Sequence, residues 1–121
     1  MKRCLIIDDS RVIRRVAAKI IQDLGFTVEE AENGKKALDA CRVRMPDVAL
    51  IDLDMPVMDG MSFLRALRQT PGGDKVVTMI CTADSGAMQI EQALKDGADE
   101  YIMKPFDSEI IHSKLLLLDL L

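Results

Sequence analysis

Tryptophan is absent, tyrosine and histidine each occur once and phenylalanine three times in this chain of 121 residues. Reading nucleic acid by base stacking takes aromatic rings, and neutralising its phosphates takes basic charge. With few rings and a net charge of −4, nucleic acid is not an expected partner. No apolar run approaches the roughly 20 residues needed to cross a bilayer, and Met1-Lys2-Arg3 leads into a short apolar segment rather than a secretory leader. Membrane association is therefore not expected, and a cytoplasmic location is. The three cysteines, Cys4, Cys41 and Cys81, lie in apolar segments without metal-ligand spacing, which reads as buried reduced thiols rather than a zinc site or disulfides. The lone His112 falls in a helical segment, which reads as a solvated or partly buried side chain rather than a catalyst.

With hydrophobic residues at 49% and charged residues at 30%, the composition is that of one globular domain, expected to occupy residues 1–121. Periodicity alternates strand and helix throughout. Strands are predicted at Cys4 to Asp8, Thr27 to Glu30, Val48 to Asp52, Val76 to Cys81 and Glu100 to Met103. A first helix runs from Arg11 to Leu24, with Ser10 as N-cap and Gly25 past its end. Its Val12, Ile13, Val16, Ala17, Ile20, Ile21 and Leu24 form a stripe expected to face a sheet. Further helices are predicted near Lys35 to Arg42, Met61 to Arg68 and Ala87 to Lys95, and a fifth from Ser108 to the C-terminus. Turn signals at Asn33-Gly34, Pro46, Pro71-Gly72-Gly73 and Gly97 separate them. Five βα units with right-handed crossovers make an α/β fold with helices on both faces of a parallel sheet.

The chemistry is concentrated where apolar strands end in acid. Asp8-Asp9 follows Cys4-Leu5-Ile6-Ile7, and Asp52 ends Val48 to Ile51. The carboxyl ends of parallel strands share one rim, so these carboxylates converge there. Clustered carboxylates resist common ionisation without a counter-cation, and an all-oxygen site suits Mg2+. Such a rim reads as a site of metal-assisted phosphoryl transfer. A carboxylate that attacks phosphorus must approach an anion, and Lys104, after the fifth strand, supplies an ammonium to offset that charge. Thr82 stands at the terminus of the fourth strand, just after Cys81, where a turn-capping role is the alternative; the small Ala83 beside it leaves room for a substrate to enter.

These motifs, in order Asp8-Asp9, Asp52 with Met55-Pro56 and Asp59-Gly60, Thr82-Ala83, and Lys104-Pro105-Phe106, resemble those of the receiver domain of two-component response regulators, in particular stand-alone chemotaxis-type regulators. The resemblance covers essentially the whole chain. It implies a doubly wound five-stranded parallel sheet of order 2-1-3-4-5 with five helices, the flavodoxin-like receiver fold. It also implies that Asp52 is the phosphoacceptor. Mg2+ would be bound by Asp9, by Asp8 directly or through water, by Asp52 and by the backbone carbonyl of Asp54. Thr82 and Lys104 would contact the phosphoryl group, Thr82 and Tyr101 would form the switch, and the bond before Pro105 would be cis. The implied partners are a histidine kinase or histidine phosphotransferase and an unidentified downstream protein. Such a regulator is not an enzyme acting on a separate substrate; it catalyses only its own phosphorylation and dephosphorylation.

Asp52 and Asp54 are both candidate nucleophiles, and the Met-Pro and Asp-Gly steps favour Asp52. Asp54 and Asp84 leave the lifetime of the phosphorylated state open. Asp52-Leu-Asp54 also matches the acid-x-acid core of haloacid-dehalogenase-type phosphatases, but there the motif ends the first strand of a larger chain. Arg11, Arg14, Arg15 and Lys19 put positive charge on the first helix, as either a docking surface for the phosphodonor or a solvated face. On the fifth helix Ile111, Leu115 and Leu118 are expected to be buried, leaving Leu116, Leu117 and Ile110 outward. A homodimer or a partner helix is expected on the face formed by the fourth helix, fifth strand and fifth helix.

Overall fold

The computed structural model describes residues 2–53, 55, 57–83 and 87–121, with Ala87 by its backbone alone. Five parallel strands, β1 (Arg3–Ile7), β2 (Thr27–Ala31), β3 (Val48–Asp52), β4 (Val77–Thr82) and β5 (Glu100–Met103), pair in the order β2-β1-β3-β4-β5. Between and after them run α1 (Arg11–Asp23), α2 (Gly34–Val43), α3 (Gly60–Gln69), α4 (Ala87–Lys95) and α5 (Ser108–Leu117). This is the expected doubly wound fold. The longest of these helices has 13 residues, so none described is long and apolar enough to cross a membrane.

Strand alternation sends side chains to two separate cores. Leu5, Ile7, Ala49, Ile51 and Ile80 pack beneath α2, α3 and α4 with Phe63, Leu64 and Leu67. Cys4, Ile6, Val48, Leu50, Met79 and Ile102 pack beneath α1 and α5 with Ala17, Ile21, Ile111 and Leu115. β3 lies between β1 and β4, and all five of its residues are buried, which is why its sequence is continuously apolar until Asp52. The three cysteines are buried and free. Burial pushes the thiols of Cys4 and Cys81 up to about 12 and that of Cys41 up to about 11, so none is a reactive thiolate at neutral pH.

Helix starts follow the expected chemistry. The side chains of Ser10, Asn33, Asp59 and Asp107 accept from the amides of Ile13, Lys36, Ser62 and Ile110, each using an oxygen to satisfy an otherwise unpaired helix N–H. Two helical expectations need correction. The α1 stripe is narrower than its sequence: Val12 is 72% exposed and Val16 48%, whereas Ala18, outside the stripe, is buried. In addition, α5 stops at Leu117 instead of reaching the C-terminus. The amide of Asp119 donates to the Leu116 carbonyl and that of Leu120 to the Leu115 carbonyl, with Asp119 at φ 65°. This is a Schellman closure, normally made with glycine; here it turns Leu120 back to pack on the α1/α5 core. Ile111 and Leu115 are buried and Leu118 is half-buried, whereas Ile110, Leu116 and Leu117 face outward, as the single-stripe argument requires.

At the amino end of the strands, Arg68 of α3 gathers several elements. Its guanidinium donates to the carbonyls of Gly73 (2.8 Å), Val76 (2.7 Å) and Gly97 (2.6 Å), and to the Thr78 hydroxyl (2.9 Å). Asp99 completes the cluster, 3.2 Å from the guanidinium, while accepting the Thr78 amide at 2.8 Å.

Candidate functional site

Asp8 is the first residue beyond β1 rather than its last member, and this one-residue shift matters. The strand carries the chain to the rim, and Asp8 turns there. Its amide still donates to the Ala31 carbonyl of β2 (3.1 Å), while Oδ1 accepts the Ser10 amide (2.9 Å). Asp8 and Asp52 are 3% and 5% exposed, and Asp9 is open to solvent. Carboxylate oxygens of Asp8, Asp9 and Asp52 lie within 4.8 Å of one another. Three hard oxygen donors, one of them solvent-facing, fit an octahedral Mg2+ that retains several waters. Asp54, the source of the implied backbone-carbonyl ligand, and Asp84 lie outside the described residues.

Lys104 closes the cluster from the far side of β3. Its Nζ stands 2.9 Å from Asp8 Oδ2 and 3.3 Å from Asp52 Oδ1. Burial alone pulls a lysine downward; here the hydrogen bond to Asp8 and the charges of Asp52 and Asp8 outweigh it, so the ammonium is held above its ordinary range. The backbone fixes its position, because the Lys104 amide donates to the Thr82 carbonyl at 2.9 Å. The Lys104–Pro105 peptide is cis. Thr82 is 1% exposed at the end of β4, and Ala83 next to it is exposed.

The Asp59-Gly60 step has a steric reason. The Gly60 amide donates to the Leu53 carbonyl (3.1 Å), drawing the start of α3 against the end of β3. A Cβ at Gly60 would lie 2.3 Å from the Asp52 carbonyl oxygen and 2.9 Å from Leu53 Cα. Only glycine permits that approach.

Tyr101 is half-buried on the edge strand β5, opposite Ile80 of β4, and packs on the α2/α3/α4 side. Lys114 of α5 reaches round the sheet edge, placing Nζ 4.8 Å from the ring centroid and 3.2 Å from Glu100. Sequence reasoning named Tyr101 and missed Lys114, because 13 residues and a strand-to-helix crossing separate them in a pattern with no local signature.

The basic face of α1 is divided. Arg15 is 63% exposed, but Arg14 is only 14% exposed and is engaged inward, so it does not belong to a free docking surface. Beside it, Val12, Ile13, Val16, Ala83, Lys104, Pro105 and Phe106 line a shallow apolar cleft of about 290 Å³ that opens next to the acidic cluster. The exposed valines of α1, misplaced by periodicity, thus border the site.

The family model for the response regulator receiver domain matches residues 4–116. Among curated proteins, the chain is 34% identical over 113 residues to the response regulator MprA of Mycolicibacterium vanbaalenii, covering 93% of this chain and 48% of that protein. It is 38% identical over 110 residues to a protein-glutamate methylesterase/protein-glutamine glutaminase of Treponema pallidum, covering 89% of this chain and 27% of that one. The chain therefore spans half or less of the length of these relatives. Among solved structures, the chemotaxis response regulator CheY4 of Vibrio cholerae superposes with a TM-score of 0.92 at 30% identity, covering 98% of each chain.

Proposed function

Since the chain belongs to the response regulator receiver family of two-component signalling, we propose that residues 1–121 act as one receiver unit with Asp52 as its phosphoacceptor. A histidine kinase or histidine phosphotransferase is the donor. The observation that carries this reading is the convergence of Asp8, Asp9 and Asp52 within 4.8 Å, with Lys104 bridging the two buried members.

In the reaction, an Asp52 carboxylate oxygen attacks the phosphorus of a phosphohistidine. The new P–O bond forms as the P–N bond breaks, the imidazole leaves with the bonding pair, and Asp52 becomes an acyl phosphate. Asp8, Asp9 and Asp52 would hold Mg2+, together with the Asp54 carbonyl that the family resemblance implies, and the bound ion would supply charge to offset the meeting of two anions. Lys104, already charged and directed at Asp52, moves its hydrogen bonding to a phosphoryl oxygen. The Thr82 hydroxyl donates to another. This contact exists only in the phosphorylated state, so it biases the position of Thr82 and, on the same sheet face, that of Tyr101. The signal leaves through a downstream protein or a homodimer on the face formed by α4, β5 and α5, where Leu116 and Leu117 are exposed. The apolar cleft lined by Val12, Val16 and Phe106, beside the basic face of α1, receives the donor. The protein acts in the cytoplasm and turns over no separate substrate.

Intact-mass analysis after incubation with a small acyl phosphate, with and without Mg2+, tests the reading. One phosphoryl group is expected in the presence of Mg2+ only, and none in Asp52→Asn. Equal labelling of Asp52→Asn would refute the assignment, and steady hydrolysis of a phosphate ester would favour the phosphatase reading instead.

A further inference from the structure

Arg14 sits in the first turn of α1 and points back at the strand ends. Its Nη1 donates to the backbone carbonyl of Asp8 at 2.7 Å, and its Nε to Glu30 Oε1 at 3.1 Å. Arg15 Nε holds the other oxygen of the same carboxylate at 3.3 Å. The guanidinium therefore joins α1, the residue after β1 and the end of β2 through a fork with two directed bonds.

We infer that Arg14 is a positioning residue for the metal site: by holding the Asp8 carbonyl it fixes the plane of the Asp8–Asp9 peptide and so the direction in which Asp9 projects. This rests on the reading of Asp8, Asp9 and Asp52 as Mg2+ ligands. The Asp8 side chain is already held by the Ser10 amide and Lys104. Asp9 is solvent-exposed, so packing sets its direction little and the preceding peptide plane sets it most. Arg14 touches neither the metal nor the phosphoryl group in this scheme; it acts through Asp9.

Two accounts of Arg14 predict opposite signs. As a point charge beside an acidic cluster, a guanidinium opposes a dication, and its removal strengthens Mg2+ binding. As a positioning group, its removal weakens binding, because partners that orient metal ligands are typically worth roughly 10- to 100-fold in affinity.

Mg2+ titration of the full chain, followed by NMR shifts of the Asp9 and Ser10 amides, reads that sign without phosphorylation. In Arg14→Ala the dissociation constant is expected to rise roughly 10-fold. Arg14→Lys, whose single ammonium cannot hold both Asp8 and Glu30, and Glu30→Gln are expected to rise less; both carry the test if the alanine variant does not fold. Arg11→Ala, which removes an exposed charge from the same turn, is expected to bind Mg2+ as well as wild type or better. Unchanged or tighter binding in the Arg14 variants overturns the inference, as does equal weakening in Arg11→Ala. If wild type itself shows no saturable shift at these amides, the metal-site reading fails and the inference goes with it.

Discussion

Lys104 and Asp8, 96 residues apart in sequence, are joined by a 2.9 Å hydrogen bond between two largely buried charges. Removing one partner of a buried pair strands the other, at a cost of about 3–5 kcal/mol when burial is complete. Lys104 is 16% exposed in its side chain, so Lys104→Met is expected to cost roughly 2–4 kcal/mol in chelator. Mg2+ should recover part of this, since it neutralises the same carboxylates. Urea unfolding in EDTA and in Mg2+ measures both.

The same pair sets a pH dependence. The folded-state value of Lys104 is raised, so its contribution is complete below the unfolded lysine value of about 10.4 and is lost as pH rises through the higher folded value. The stability difference between wild type and Lys104→Met is expected to stay flat from neutral pH to about 10 and to shrink above it. Comparing the two proteins cancels the other lysines. A difference that shrinks between pH 6 and 8 would contradict this assignment.

Gly60→Ala brings a Cβ against the backbone of Asp52 and Leu53, which cannot move aside as a flexible side chain can. Alanine's helix preference returns up to about 1 kcal/mol, whereas overpacking costs about 1–3. A net loss of roughly 1–2 kcal/mol is expected, together with slower labelling of Asp52, since the displaced atoms belong to the proposed acceptor residue itself. Thermal unfolding and labelling rate read the two effects separately.

Val57, on the loop between β3 and α3, has φ 70° with a side chain 78% exposed. A β-branched residue in the left-handed region pays about 1–2 kcal/mol in steric strain, and an exposed side chain returns little. Glycine relieves the strain but adds freedom to the unfolded chain, so Val57→Gly is expected to stabilise by roughly 0.5–1 kcal/mol. Asp119→Gly, at φ 65°, should act in the same direction. Denaturant midpoints would show both shifts.

The composition provides a probe of the switch. With one tyrosine and no tryptophan, intrinsic emission comes from Tyr101 alone. Phosphorylation is expected to change that emission in wild type. Thr82→Ala should still be labelled at Asp52 while its tyrosine signal changes little. Lys114→Met, which frees the ring from its overlying ammonium, should shift the unphosphorylated baseline. A full tyrosine response in Thr82→Ala would exclude the threonine as the link.

The rim was legible in the sequence because each of its parts follows a short apolar strand, and parallel strands deliver such residues to one edge whatever their separation in the chain. What stayed hidden was non-local or unsignalled. Periodicity alone cannot tell that, of the seven apolar positions in the α1 stripe, two, Val12 and Val16, are left beyond the cover of the sheet. The end of α5 was missed because its left-handed closing residue is Asp119, where glycine would have marked it. Arg14 read as one surface charge among four, since its partners Asp8 and Glu30 lie on two other elements.

Arg68 and its partners sit at the opposite end of the sheet from the acidic rim. One side chain there satisfies carbonyls before β4 and β5 and ties α3 to both strands. Any rearrangement on signalling is therefore expected to leave this end in place and to be largest towards the carboxyl ends of the strands, where the ties run through Lys104 and Arg14. In hydrogen exchange, amides near Thr78 and Asp99 are expected to open only with the whole molecule.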